Sequence, residues 1–158
     1  MTQTAREILV FEIGGQRYGL PVADVRELLR AVTLTPLPQA PAIVEGIINV
    51  RGTIVPVLDI RRRFRLPARA PEHTDHLIVA SAGGRLVALR VDHALEVTRL
   101  AAANVDRAEA VLPGVDYVAE VAKCPDGLVL IHDLQTFLSA SEVTLLAEVL
   151  ANAEGSSP

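Results

Sequence analysis

The chain has 158 residues, half of them hydrophobic, with three Phe, two Tyr, no Trp and a formal net charge of −4. That length suits one domain or two small lobes sharing a core, and the scarcity of aromatics calls for a core of Val, Ile, Leu and Ala. The acidic balance speaks against general phosphate-backbone binding, the single Cys124 excludes an internal disulfide, and no apolar run nears the ~20 residues that cross a bilayer.

In chain order, Met1–Glu7 is polar and Ile8–Ile13 is too short for a signal-peptide core, so a soluble cytoplasmic protein is expected. Ile8–Ile13, Gly14-Gly15 and Gln16–Val22 read as strand, tight turn, strand, because glycine supplies the positive φ of two-residue hairpin turns. Pro36, Pro38 and Pro41 mark a loop. Gly46 to Ile60 then reads G-I-I-N-V-R-G-T-I-V-P-V-L-D-I, where Thr53–Leu58 predicts a buried strand and Asp59 an N-cap for Ile60–Phe64. A basic run, Arg61-Arg62-Arg63-Phe64-Arg65 with Arg69, leads into a polar connection over Pro67–Thr74. Leu77–Ala82, Gly83-Gly84 and Arg85–Val91 predict a second hairpin, and Leu128–Leu134 a further strand ending at Asp133. Ser139-Ala140-Ser141-Glu142 fits the S-x-x-E capping box and opens a helix with Val143, Leu146, Ala147 and Leu150 on its apolar face.

These elements repeat. A shift of 69 superposes Val10 on Val79, Gly14-Gly15 on Gly83-Gly84, Leu20 on Leu89 and Glu27 on Glu96; a shift of 74 lays Ile54–Ile60 over Leu128–Leu134. Short strands with Gly- and Pro-marked turns in two copies predict an all-β fold of two small barrels side by side, with one C-terminal helix. The expected division is one domain over 1–151, with lobe one about 15–72, lobe two about 73–138, room for exchange of the N-terminal segment, a helix over 139–151 and a disordered tail over 152–158.

Enzyme signatures are missing. The chain has no G-x-x-x-x-G-K-[ST], no G-x-G-x-x-G and no G-x-S-x-G. Glu72, His73, Asp75 and His76 resemble metal ligands, but the Pro-containing context reads as a solvated linker. His132-Asp133 suggests an oriented base, yet adjacent strand residues face opposite ways and Asp133 has a capping role. Cys124 has no visible activating base. No catalytic residue, metal or cofactor is expected. The basic run reads first as a solvated helix face, second as a rim steering an acidic protein partner, and last as a nucleic-acid surface.

Between Gly46 and Gly52, Asn49 and Arg51 stand at i, i+2 and share a face if the segment is extended, which suggests a docking surface. The glycines mark positive φ or close approach. The motif G-x-x-N-x-R-G with P-V-x-D, joined by Tyr18-Gly19-Leu20, Val25-Arg26-Glu27 and Leu86–Asp92, resembles the CheW family of chemotaxis coupling proteins over nearly the whole chain. The resemblance implies two five-stranded SH3-like barrels around a shared apolar interface. It also implies a non-enzymatic adaptor bridging the cytoplasmic hairpin tips of methyl-accepting receptors to the regulatory domain of the histidine kinase CheA. Carried over by residue, the binding surface includes Val25, Glu27, Gly46, Asn49 and Arg51, with Val25 and Ile47 as apolar anchors; for Arg51, tying a loop to backbone carbonyls stays open beside docking. A paralogue serving a pilus, gliding-motility or other regulatory pathway is the near alternative. A small enzyme using His132 or Cys124, and an SH3-like nucleic-acid binder, are the alternatives of other classes. His93, where many relatives carry glycine, and the lack of N-x-R-G in the second half depart from the family pattern.

Overall fold

Runs of Val, Ile and Leu broken by tight turns form the strands of this computed structural model, which describes residues 6–82, 84–107, 118–134 and 138–155. The first hairpin, β1 (Arg6–Ile13) and β2 (Gln16–Pro21), turns at Gly14 and Gly15, whose φ values of 60° and 81° match the twist of the strands they join. Then come β3 (Val25–Arg30), β4 (Val44–Val50), β5 (Thr53–Leu58) and the short helix α1 (Ile60–Arg63). Asp59 caps α1, its carboxylate accepting from the Arg61 amide at 3.1 Å. The second hairpin is β6 (His76–Ala82) and β7 (Arg85–Val91), followed by β8 (His93–Leu100), β9 (Val105–Arg107), β10 (Val118–Cys124), β11 (Gly127–His132) and helix α2 (Ala140–Gly155).

The strands build two sheets, ordered β8-β1-β2-β11-β10-β9 and β3-β6-β7-β5-β4. The hairpin from each half completes the sheet of the other half. Lobe limits at about 15–72 and 73–138 therefore do not describe the molecule, because β2 lies in the six-stranded sheet and β6–β7 in the five-stranded one. Two short parallel pairings close the exchange: Tyr18 and Gly19 of β2 lie opposite Leu130 and Ile131 of β11, and Ala88 and Leu89 of β7 opposite Val57 and Leu58 of β5. The repeat survives in the registers. Glu27 faces Val79 and Glu96 faces Val10, a shift of 69 on both sides, with an irregularity beside each. The irregularity between Val44 and Gly46 recurs between Val118 and Glu120, a shift of 74. The sheet holding β8 to β11 has six strands where five were expected; β9 corresponds to a single bridge, Thr35 to Ile47, beside the five-stranded sheet.

Alternation explains why the middle of each hairpin is apolar on both faces. Ile8 and Val10 of β1 pack with Ala122, Val129 and Ile131 inside one lobe, and Leu77 and Val79 of β6 pack with Ile48, Val55 and Val57 inside the other. The intervening Leu9, Phe11, Ile78 and Ala80 meet in a third cluster between the lobes, with Leu20, Leu58 and Leu89. A strand buried on both faces cannot alternate apolar with polar residues.

His132 sits at this seam. It is fully buried, with ring centroids 5.5 Å from Phe11, 5.0 Å from Tyr18 and 4.5 Å from Phe64. Desolvation holds its pKa down at about 3. The solvent-side geometry needed of a general base is absent here.

The basic run and the polar connection are built into the structure instead of being solvated throughout. Arg61, 7% exposed, donates to both oxygens of Asp92 at 3.0 and 2.8 Å and to the Pro67 carbonyl. Arg69 bridges Asp92 and Asp75 at 2.6 Å each; Asp75, 2% exposed, also accepts from Arg90, which grips Glu45. Asp75 is thus a buried hub, and His76 accepts from the Ala94 amide at 3.0 Å. Burial alone would raise the Asp92 pKa, but the Gly14 amide and the Arg61 and Arg69 guanidinium groups outweigh it and hold the carboxyl at about 2.

Helix α2 opens with the reciprocal capping box: the Glu142 amide donates to Ser139 Oγ at 3.2 Å and the Ser139 amide to Glu142 Oε1 at 2.8 Å. Arg63 also grips Glu142, tying α2 to α1. The helix continues through Gly155, beyond the expected limit of 151, because alanines at 151 and 153 and the absence of proline let it run on. Leu146, Val149 and Leu150 are buried, whereas Val143 is 48% exposed, so the apolar face is rotated from the expected one. Residues 135–137, where a cap by Asp133 was expected to act, lie outside the described residues.

Two outcomes follow from these buried groups. His132 corresponds to Leu58 in the repeat. A histidine with folded pKa near 3 and ordinary unfolded pKa stabilises fully above about pH 6.5 and loses that stability as pH falls, about 2 kcal/mol by pH 5. In thermal melts from pH 7 to pH 5, His132→Leu is expected to flatten the decline; an unchanged slope would contradict the neutral, sealed ring. Asp75→Asn leaves Arg69 and Arg90 short of a buried countercharge and is expected to cost about 3–5 kcal/mol in urea titration.

Candidate functional site

The Gly46–Ile60 motif forms the β4–β5 hairpin and its cap. Its turn consists of Arg51 and Gly52, with φ of 50° and 89°, between the paired residues Val50 and Thr53. Two positive φ values define the I′ turn, in which asparagine or glycine is the favoured first residue. Arginine there costs about 1–2 kcal/mol. Arg51 is therefore a turn residue, and the shared strand face expected for Asn49 and Arg51 does not form. Asn49 instead bends back, its Oδ1 accepting from the Gly52 amide at 2.7 Å, which fixes the turn.

The structure brings together two of the expected binding residues. Arg51 Nη2 lies 2.8 Å from Glu27 Oε1, with the arginine side chain 81% exposed and the glutamate 21%. Glu27 belongs to β3 and Arg51 to the turn after β4, which are opposite edges of the five-stranded sheet. Their contact means that the sheet has rolled until its edges meet. An ion pair this exposed contributes under about 1 kcal/mol. It does not repay the strain of the turn by any clear margin.

The other expected residues have visible packing roles. A Cβ on Gly46 would lie 2.8 Å from the Thr35 carbonyl oxygen and 3.0 Å from Leu34 Cβ, so only glycine permits this approach. Ile47, half-buried, exchanges two backbone bonds with Thr35 at 2.8 and 3.0 Å. Val25 leans on the inter-lobe cluster. Along β3, Val25, Glu27 and Leu29 are half-buried while Arg26, Leu28 and Arg30 are exposed. Leu28, 46% exposed on this edge strand, was missed; its apolar character in the outward phase of the alternation was the signal.

Neither candidate for catalysis gains support from its surroundings. His132 is sealed among rings, and burial raises the Cys124 thiol pKa. Among the described residues no cluster of three or more His, Cys, Asp or Glu could hold a metal ion, and no helix is long and apolar enough to cross a membrane.

Comparison with known proteins agrees with this architecture. The family model for the CheW-like domain matches residues 7–142. The chain is 27% identical over 146 residues to the chemotaxis protein CheW of Klebsiella aerogenes, covering 91% of this chain and 88% of that protein. Protein FrzA of Myxococcus xanthus is 35% identical over 101 residues, 63% of this chain and 62% of FrzA. The crystal structure of the scaffolding protein TtCheW from Thermoanaerobacter tengcongensis superposes with a TM-score of 0.79 at 29% identity, covering 88% of this chain and 96% of that one. With the exchanged hairpins, the G-x-x-N-x-R-G turn and a match across 7–142, the chain belongs to the CheW-like domain family.

Proposed function

We propose that this chain is a cytoplasmic, non-enzymatic adaptor that couples the signalling tips of chemoreceptors to the regulatory domain of a CheA-type histidine kinase. The family match supports this reading, as does the likeness to the scaffolding protein TtCheW. One observation carries the assignment of a client-docking surface to the β4–β5 turn: an exposed arginine is held in a strained left-handed conformation with an ion pair too weak to justify it structurally. Local strain that the fold does not need points to use by a partner. Arg51 offers five donors in a rigid fork, Glu27 orients it, and Leu28 adds an apolar contact on the same edge. The likeness to FrzA favours one second reading, a paralogue with the same mechanism and other clients.

Binding assays with a receptor signalling tip and with the kinase regulatory domain test the adaptor role; correctly folded protein that bound neither would end it. Arg51→Gly relieves the turn and removes the fork, so it is expected to gain about 1 kcal/mol of stability while lowering affinity for one of the two clients. Unchanged affinity for both, with a fall in melting temperature, would make Arg51 a structural residue.

A further inference from the structure

Helix α2 does not close fully on the five-stranded sheet. Between them lies a cleft of about 430 Å³, with Thr53 and Ile54 of β5, Arg85 and Leu86 of β7, and Val143 and Leu146 of α2 in its walls. That size falls within the range of small-molecule sites. Leu146 is fully buried, but Val143 is 48% exposed and Ile54 and Leu86 are half-buried, so part of the apolar wall stays open to water. Arg85 is the one charged residue among the described residues of the walls, and it forms no ion pair or side-chain hydrogen bond with another described residue. Glu142, next to Val143 in the chain, is held by the guanidinium of Arg63 through both oxygens, which cancels its charge.

The repeat shows how the same place is filled in the other half. A shift of 69 sets Arg85 on Gln16 and Leu86 on Arg17; a shift of 74 sets Gly52 on Asp126 and Ile54 on Leu128. There Gln16 donates to the carbonyls of Arg17 and Leu128, and Arg17 pairs with Asp126 at 3.4 Å, so the polar side chains are satisfied within the chain. Around Arg85 the acid is replaced by glycine and the neighbouring arginine by leucine. A cation among apolar walls is left without a described partner. Strand topology excludes an added strand as that partner. β5 lies between β4 and β7, and β7 between β5 and β6, so neither offers a free edge to a peptide backbone.

We propose that this cleft is a binding site for a small aliphatic carboxylate. The anion meets the Arg85 fork, and the hydrocarbon chain covers Ile54, Leu86 and Val143, removing from water the apolar surface that the fold leaves open. Thr53 pairs with Val50 across the Arg51-Gly52 turn, so an occupant of the cleft touches the residue that ends that turn. The site takes a solute and not a protein client, and so stands apart from the adaptor role.

Octanoate is the probe, titrated into the full chain and followed by calorimetry and backbone amide shifts. Acetate, which lacks the hydrocarbon, and octanol, which lacks the charge, are titrated beside it. Octanoate is expected to saturate one site with shifts centred on Thr53, Ile54, Leu86 and Val143, while acetate and octanol bind at least about tenfold more weakly. Arg85→Gln, which keeps a donor but removes the charge, is expected to lower octanoate affinity about tenfold and leave octanol unchanged. Val143→Asp sets a carboxylate in the cleft at a half-exposed position in the first turn of α2, where an acid suits the helix, and is expected to abolish octanoate binding with little change in melting temperature. Absence of saturable octanoate binding, or shifts centred elsewhere, overturns the site. Octanol binding as tight as octanoate, or octanoate binding that survives both substitutions, overturns the assignment of a carboxylate to Arg85.

Discussion

The constraint on which the rest depends is that each hairpin is apolar on both faces. A hairpin of this kind has no solvent side, so it must lie between two packing layers. The molecule supplies them by exchange: β1–β2 and β6–β7 become the walls between lobes, each presenting alternate residues to its own lobe and to the seam. The edges of the five-stranded sheet then come together at Glu27 and Arg51, and the exposed motif turn occupies the rim of that closure. The position of the candidate docking surface is thus a consequence of how the walls are buried.

Charge organises what the hydrophobic effect leaves undirected. Apolar burial rewards any arrangement that hides the seam, whereas the alternating Arg61, Asp92, Arg69, Asp75, Arg90 and Glu45 chain permits few geometries. It clamps the connection after α1 against β7 and β4, with its members drawn from both halves of the sequence. Arg61 and Arg69 of the basic run are absorbed in this way and Arg63 is held by Glu142, whereas Arg62 and Arg65 remain exposed.

Local features were legible in the sequence. The Gly14-Gly15 hairpin, the Asp59 cap and the Ser139–Glu142 capping box depend on residues within a few positions of each other and appear as read. The hairpin exchange was read only as room for exchange of the N-terminal segment and not for β6–β7, because a shift of 69 is equally satisfied whether each hairpin folds onto its own half or the other. Asp75 was hidden in a polar connection; the clue was Arg90, a lone charge inside the apolar run Leu86–Val91 that demands a buried counterion. At the motif, the glycines were read correctly as backbone requirements, with close approach at Gly46 and positive φ at Gly52. The error concerned Arg51, placed on a strand when two-residue turns reach one position further.

The exchanged hairpins also bear on how this protein is made. Neither sheet can be completed by the residues of one half, so a growing chain that has delivered β1 to β5 still lacks the inner strands of the lobe it has begun. Until β6 and β7 appear, Val55 and Val57 have no wall to cover them, and β1–β2 waits for strands later still. Closure by parallel pairings between residues more than thirty positions apart, and in one case more than a hundred, makes folding a late and collective event. Such a nascent chain carries unpaired strands and open aliphatic surface for most of its synthesis, a state that exposes it to aggregation until the later strands are made.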